Sequence, residues 1–204
     1  MTEALWLGVL FGVGAALAVG PITATIVQEA LARGLGASFR VILGSATADL
    51  VLIVPALAAG WLLAGVAGAR LYVALVGAAY FVYLAAEALR DSRRMWRGGA
   101  APAAAPGWAF GKGMLGNLLN PLSWTFWLAT GTPTMLRAFD ASGWPGLLLF
   151  TATWFVVAMA IEAIIALAVV RGRRAAAPRT LAASSAAAAA VFVVLAGTLV
   201  IQAA

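Results

Sequence analysis

The chain has 204 residues, of which 64% are apolar and 10% are charged, and its mean hydropathy is +1.02. Soluble domains carry about 25% charged residues, so this composition predicts an integral membrane protein of one compact domain. The absence of Cys and His excludes thiolate chemistry and removes the commonest metal ligands, and we expect no cofactor.

The charge balance is basic, with 13 Lys and Arg residues against 7 Asp and Glu residues. These basic residues cluster in short loops between apolar segments, which is the pattern of a membrane protein, and we expect no nucleic-acid partner. Loops one, three and five of the predicted arrangement hold most of them, whereas the opposite side holds only Arg70 and Arg137. The positive-inside rule therefore places the three basic loops in the cytoplasm and both termini outside.

Six apolar segments are long enough to cross a bilayer, which takes about 20 residues. Because three crossings are an odd number, two groups of three spans enter the membrane in opposite orientations. The sequence therefore predicts an all-α membrane protein with two inverted three-helix repeats, 1–90 and 108–204, joined by a cytoplasmic loop at 91–107. The six predicted segments are approximately 4–28, 40–62, 66–89, 108–132, 145–170 and 180–202.

Proline interrupts the first and the fourth of these segments, at Pro21 and Pro121. Since proline lacks a backbone N–H and clashes with the carbonyl four residues earlier, we expect helices 1 and 4 to be broken there. Polar side chains near each break can satisfy the freed backbone groups or bind a polar solute. Interrupted helices at matching positions of two halves indicate the binding site of a transporter. The candidate pathway residues are Gly20, Pro21, Thr23, Thr25, Gln28, Asn117, Asn120, Pro121, Ser123 and Thr125.

Two acidic residues, Asp49 and Glu162, lie well inside the second and fifth segments. A charge at the bilayer centre costs roughly 2.5–3.5 kcal/mol, so these side chains should face the bundle interior. We expect no basic side chain to reach them, because Lys112 falls at the membrane edge, and we therefore expect them to be protonated at rest. Such carboxyl groups suit proton coupling, although a cap on a backbone group or a polar helix contact would explain either one.

Two further acids, Glu29 and Glu87, fall at cytoplasmic helix ends. Their spacing predicts surface ion pairs, Glu29 with Arg33 at i,i+4 and Glu87 with Arg90 at i,i+3. Glu29 is also a candidate for a gate on that side of the membrane.

Several motifs occur in a recognisable order along the first two thirds of the chain. They are Gly20-Pro21, Arg33-Gly34, Gly44, Asp49, the run Gly77-Ala78-Ala79-Tyr80-Phe81-Val82-Tyr83-Leu84, then Phe110, Lys112-Gly113 and Asn117-Leu118-Leu119-Asn120-Pro121. This ordered set resembles the LysE/RhtB family of amino-acid exporters. The last two segments match that family only in length and apolarity.

The resemblance implies a six-span carrier of the bacterial inner membrane that exports amino acids or related metabolites, usually driven by the proton gradient. By position, Pro21 and Pro121 would mark the helix breaks, Asn120 a site or gating residue, and Asp49 the acid of the second span. Val19 and Leu122 depart from the family, which often has proline and lysine at these positions. The missing lysine leaves the substrate class open.

The expected partners are an amino acid, protons and the lipid bilayer, and the sequence leaves open whether the protein is a homo-oligomer. One alternative is an exporter of another small solute or a cation, and another is a membrane subunit that transports nothing. An intramembrane enzyme is disfavoured, because general-base chemistry would have to use Lys112 in place of a histidine.

Overall fold

The computed structural model describes residues 1–17, 20–58, 63–98, 108–175 and 178–203, and every regular element in these ranges is helical. This confirms the predicted all-α class. Val19, part of the second predicted segment at 59–62 and much of the predicted loop at 99–107 lie outside the described residues. The helices are α1 (Thr2–Leu17), α2 (Pro21–Arg33), α3 (Leu35–Ala58), α4 (Leu63–Trp96), α5 (Trp108–Leu118), α6 (Pro121–Phe126), a π-helical turn (Trp127–Gly131), α7 (Thr132–Ala175) and α8 (Pro178–Ala203).

Among the residues that the structure describes, three apolar helical stretches reach membrane-spanning length, Leu35–Leu57, Leu122–Gly172 and Arg179–Thr198. A fourth span results if α1 and α2, which are bent by 62° relative to each other, cross the membrane together. The protein is therefore a multi-pass membrane protein. That the chain crosses the membrane six times remains a prediction.

The two proline positions begin new helices, as expected. Pro21 is the first residue of α2, where its missing N–H costs no hydrogen bond, and Gly20 before it has extended backbone angles. Pro121 likewise begins α6, and the side chain of Asn120 caps this helix by accepting a hydrogen bond from the backbone N–H of Leu122 at 3.2 Å. The predicted breaks in helices 1 and 4 are confirmed.

A third interruption lies within α7 at Gly143, whose φ of 62° and ψ of −155° leave the helical region. Glycine adopts this positive φ without the strain that a side chain would cause. Because Pro145 follows within two residues, α7 consists of two helical segments that meet at an angle at Gly143.

The helices pack in three main pairs, α1 with α7, α3 with α5, and α4 with α8. Glycine allows the first two pairs to approach closely. A Cβ atom added to Gly8 of α1 would lie 2.8 Å from the carbonyl oxygen of Phe150, and one added to Gly44 of α3 would lie 2.0 Å from that of Phe110. The backbones of these helices are therefore in direct contact, as is usual for small residues at membrane helix interfaces.

Candidate functional site

A cavity of about 200 Å³ lies where the two helix breaks meet. Gly20 and Pro21 of the first break and Asn117 and Asn120 of the second form part of its wall. The tertiary structure thus brings together two breaks that are about a hundred residues apart in the chain. The other polar residues of the wall are Thr23, Ser45, Asp49, Ser123 and Glu162.

Asp49 reaches the cavity from α3 and is held on one side by an indole. Trp127 Nε1 donates a hydrogen bond of 2.7 Å to Asp49 Oδ1. The Trp127 ring is 1% exposed and packs edge-on against Trp154, with 4.9 Å between the ring centroids. Trp127 begins the π-helical turn, and such turns are frequent at functional sites. No sequence pattern indicates this contact, because Asp49 and Trp127 are 78 residues apart in the chain.

Glu162 is the second carboxyl group of the cavity and comes from the later segment of α7. Within the described part of the chain, the cavity wall includes neither Lys nor Arg. Asp49 and Glu162 therefore share one small polar space that contains no basic side chain.

The polar side chains at the second break hydrogen bond to one another and to the backbone. Asn117 Nδ2 donates to the carbonyl oxygen and to the Oγ of Ser45, at 2.9 and 3.1 Å. Ser123 Oγ donates to Asn117 Oδ1, and Asn120 Nδ2 donates to Ser123 Oγ at 3.1 Å. These bonds hold α5, α6 and α3 in a fixed relation beside the cavity. Polar side chains around the second break thus hydrogen bond to nearby backbone groups, as the sequence predicts.

Three of the remaining predicted pathway residues, Thr25, Gln28 and Thr125, do not line the cavity. Thr25 is buried and donates a hydrogen bond of 2.7 Å to the carbonyl oxygen of Pro21, which lies four residues earlier. Thr125 is exposed, and Pro121 contributes the start of α6. Gln28 and Glu29 lie further along α2, in a separate group of polar side chains.

This separate group, which we call the charge cluster, joins α2, α4 and α5. Glu29 Oε1 accepts hydrogen bonds from Lys112 Nζ at 2.5 Å and from Arg33 at 2.9 Å. Glu87 Oε1 accepts from Lys112 at 2.6 Å and from Arg33 at 2.9 Å. The charge cluster consists of these four residues together with Asp91, which pairs with Arg33 at 3.1 Å, and Gln28, which donates to Asp91 at 3.3 Å.

The charge cluster corrects two predictions about ion pairs. Glu29 and Arg33 do form a pair, but their side chains are 0% and 5% exposed, so it is not a surface pair. Glu87 pairs with Arg33 and Lys112 in place of Arg90, which is exposed. The physical reason is that α2, α4 and α5 converge, so that long side chains from three helices meet away from solvent.

Lys112 is likewise buried, with 0% of its side chain exposed, and it contacts two acids, which the sequence reasoning did not predict. One available signal could have indicated this. The positive-inside rule puts loops one and three on the same side, and Glu29, Glu87 and Lys112 all lie near those loops.

Asp91 lies two residues beyond the third predicted span. Burial raises the pKa of its carboxyl group above the ordinary value, while the guanidinium of Arg33 acts in the opposite direction.

Nowhere in the described ranges do three or more acidic residues converge in a way that could hold a metal ion.

Comparison with protein families identifies one match. The model of the LysE type translocator family matches residues 13–203, which include both helix breaks, the cavity and the charge cluster. Neither the curated proteins nor the solved structures contain a match to this chain. The family match extends through the last two apolar segments, where no sequence motif indicated a relationship. Since it covers nearly the whole chain, the protein belongs to the LysE type translocator family, whose members are transport proteins.

Proposed function

We propose that the protein exports amino acids or closely related small metabolites across the inner membrane in exchange for protons. The observation that carries this proposal is the cavity that contains both helix breaks together with Asp49 and Glu162. Its volume of about 200 Å³ is below the roughly 300–1,000 Å³ of pockets for drug-sized ligands. The cavity therefore suits a solute of amino-acid size.

The first helix break supplies groups that suit the carboxylate of an amino acid. Gly20 stands at the N-terminal end of α2 and lines the cavity, so the positive end of the helix dipole lies beside the cavity. This end of the helix favours an anionic group. The amino group of the solute then faces the carboxyl groups of Asp49 and Glu162.

We assign the coupling proton to Asp49, with Glu162 as the second candidate. A carboxylate at the bilayer centre costs roughly 2.5–3.5 kcal/mol, so the closed cavity favours the protonated form. Opening to water, or the arrival of an ammonium group, favours the ionised form. Asp49 also accepts a hydrogen bond from Trp127, and a bond to a charged acceptor is stronger than one to a neutral acceptor. Asp49 thus has a donor that favours its ionised form.

Helix packing supports the inverted-repeat arrangement and alternating access. In the predicted repeats, α1 of the first packs on the later segment of α7 in the second, and α5 of the second packs on α3 of the first. In these repeats, α1 corresponds to α5, and α3 corresponds to the later segment of α7. Exchanging the two repeats therefore converts the α1–α7 contact into the α5–α3 contact, as an inverted repeat requires. Motion between the repeats would expose the cavity to each side in turn, with both termini outside.

The proposal is tested with purified protein in liposomes that contain a pH-sensitive dye, challenged in turn with a panel of amino acids. We expect proton movement that depends on one class of amino acid and is lost in Asp49→Asn. The matched control is Asp140→Asn, which removes an exposed acid that is not part of the cavity wall. Movement that survives Asp49→Asn but is lost in Glu162→Gln would transfer the coupling role to Glu162.

A second candidate function is the export of another small solute, and one observation favours it. Leu122, at a position where the family often has lysine, lines the cavity. The wall thus differs from the family pattern where a solute would contact it. If the folded protein moves no protons with any amino acid, the panel is extended to amines and small cations. A negative result there would favour a membrane subunit that does not transport.

A further inference from the structure

The charge cluster lies between the cavity and one face of the protein. From Pro21 at the cavity, α2 runs eight residues to Glu29, which is about 12 Å at 1.5 Å per residue. From Asn117 at the cavity, α5 runs back five residues to Lys112, about 7.5 Å. Both paths lead toward the face where α2 ends and α5 begins. The charge cluster therefore lies on the side of the cavity that faces this end of the bundle.

Lys112 is the one member of the charge cluster that belongs to the second half of the chain. The other members come from α2 and α4. Lys112 Nζ lies 2.5 Å from Glu29 and 2.6 Å from Glu87, and it therefore binds both of these helices to α5. The backbone of Lys112 is held as well, because Tyr80 donates a hydrogen bond of 3.1 Å to its carbonyl oxygen.

The helix α2 is a short element bounded by an interruption at each end. It has 13 residues and lies between two interruptions, the bend of 62° that follows α1 and Gly34 with a φ of 88°. Gly20 directly precedes α2 and Gly34 directly follows it, and hinges are commonly a few residues at element ends. The contacts of Glu29 with Lys112 hold this short helix against α5.

The closed charge cluster is incompletely hydrogen bonded. In the part of the chain that the structure covers, four of its buried polar atoms have no partner: Gln28 Oε1, Glu29 Oε2, Arg33 Nε and Glu87 Oε2. Buried polar groups without partners are costly, and water would satisfy all four in an open arrangement. Since three acids face two bases, one negative charge is also left over. The closed arrangement is thus not strongly favoured over an open one, as a gate requires.

We infer that Lys112 is the latch of a gate formed by α2, which closes the cavity toward the face where α2 ends. Breaking its contacts with Glu29 and Glu87 frees α2 to swing away from α5 and opens the cavity to that face. This inference rests on the proposed function, because only a transporter has to open its cavity alternately to the two sides.

The chain offers a clean way to measure this opening, since it contains no Cys. Ala46→Cys places one thiol in the cavity wall without removing a polar group. A membrane-impermeant thiol reagent is added from one side at a time, and the labelling rate of folded protein is measured. With Lys112→Gln, we expect the rate from the face where α2 ends to rise about tenfold or more, while the rate from the other side does not rise.

Arg90→Gln is the matched control, because it removes an exposed basic residue from the same end of the bundle and should leave the rate unchanged. An unchanged rate in folded Lys112→Gln would overturn the latch. A rise that is equal from both sides would overturn it too, since it would indicate a generally loosened bundle.

If Lys112→Gln does not fold, Glu29→Gln tests the same contact from α2. Its remaining two acids and two bases balance in charge, so the loss of stability is smaller. We expect the same one-sided rise in labelling, of smaller size, and no rise would overturn the latch. The labelling needs neither solute nor proton movement. The labelling result can therefore contradict the gate while liposomes still show export, or it can support the gate while liposomes show no export.

Discussion

The cavity and the charge cluster are two polar regions along the same helices, and they treat their acidic residues in opposite ways. In the described residues, Asp49 and Glu162 line a cavity without a basic side chain, whereas Glu29 and Glu87 each contact two basic residues. An acid without a basic partner in a membrane can take up or release a proton, while an acid in a buried ion pair holds helices together. Whether an acid has a basic partner, more than how deeply it is buried, therefore distinguishes the two roles.

The largest expected effect is on stability and comes from the charge cluster. Lys112→Met leaves the buried Glu29 and the partly buried Glu87 with Arg33 as their remaining basic partner, and breaking a buried pair costs about 3–5 kcal/mol. We expect a clear drop in the midpoint of thermal unfolding in detergent. The comparison is Asp49→Asn, which has no basic partner to lose and should change this midpoint little. Equal midpoints for the two variants would contradict the contrast between the regions.

The next effect is on transport and comes from the cavity. Asp49→Asn should lower proton movement driven by substrate about a hundredfold or more, since the amide cannot carry a proton at this position. The rate of dye response in liposomes measures it, with the quantity of inserted protein held equal. Glu87→Gln serves as the contrast from the charge cluster. A larger transport loss there than in Asp49→Asn would reverse the assignment of roles.

A smaller effect is expected where α3 and α5 touch, because this contact supports both regions. A Cβ atom in Gly44→Ala would lie 2.0 Å from the carbonyl oxygen of Phe110, so the helices must separate. Overpacking of this kind costs about 1–3 kcal/mol. Gly36→Ala on the same helix is the control, because its added Cβ meets nothing within 4 Å. The thermal midpoint should fall in Gly44→Ala and stay unchanged in the control.

The smallest effect tests the indole beside Asp49. Trp127→Phe keeps an aromatic ring but removes the hydrogen bond of 2.7 Å from Nε1 to Asp49. A typical hydrogen bond contributes about 0.5–1.5 kcal/mol, so we expect a loss of transport of up to about tenfold with little loss of folded protein. Trp144→Phe, an exposed tryptophan outside the cavity wall, is the control. An unaltered transport rate in Trp127→Phe would mean that this bond only positions the side chain.

Much of the candidate site follows from local rules about single residues. Proline cannot continue a helix without losing a hydrogen bond, so Pro21 and Pro121 predict both breaks. The same local rules predicted the wrong partner for Glu87, because they paired it with Arg90 at i,i+3. Helical spacing identifies neighbours on one helix and says nothing of side chains that arrive from another, such as Lys112.

The sequence by itself determined the membrane class, the helical content, the two breaks and the presence of acids within apolar segments. These depend on composition and on bonds between residues near each other in the chain. Only the tertiary structure decided which acids would have basic partners. Glu29 and Lys112 are 83 positions apart, and Asp49 and Trp127 are 78 apart. Contacts of this kind depend on how whole helices pack, because close approach at glycines such as Gly44 sets which side chains face each other.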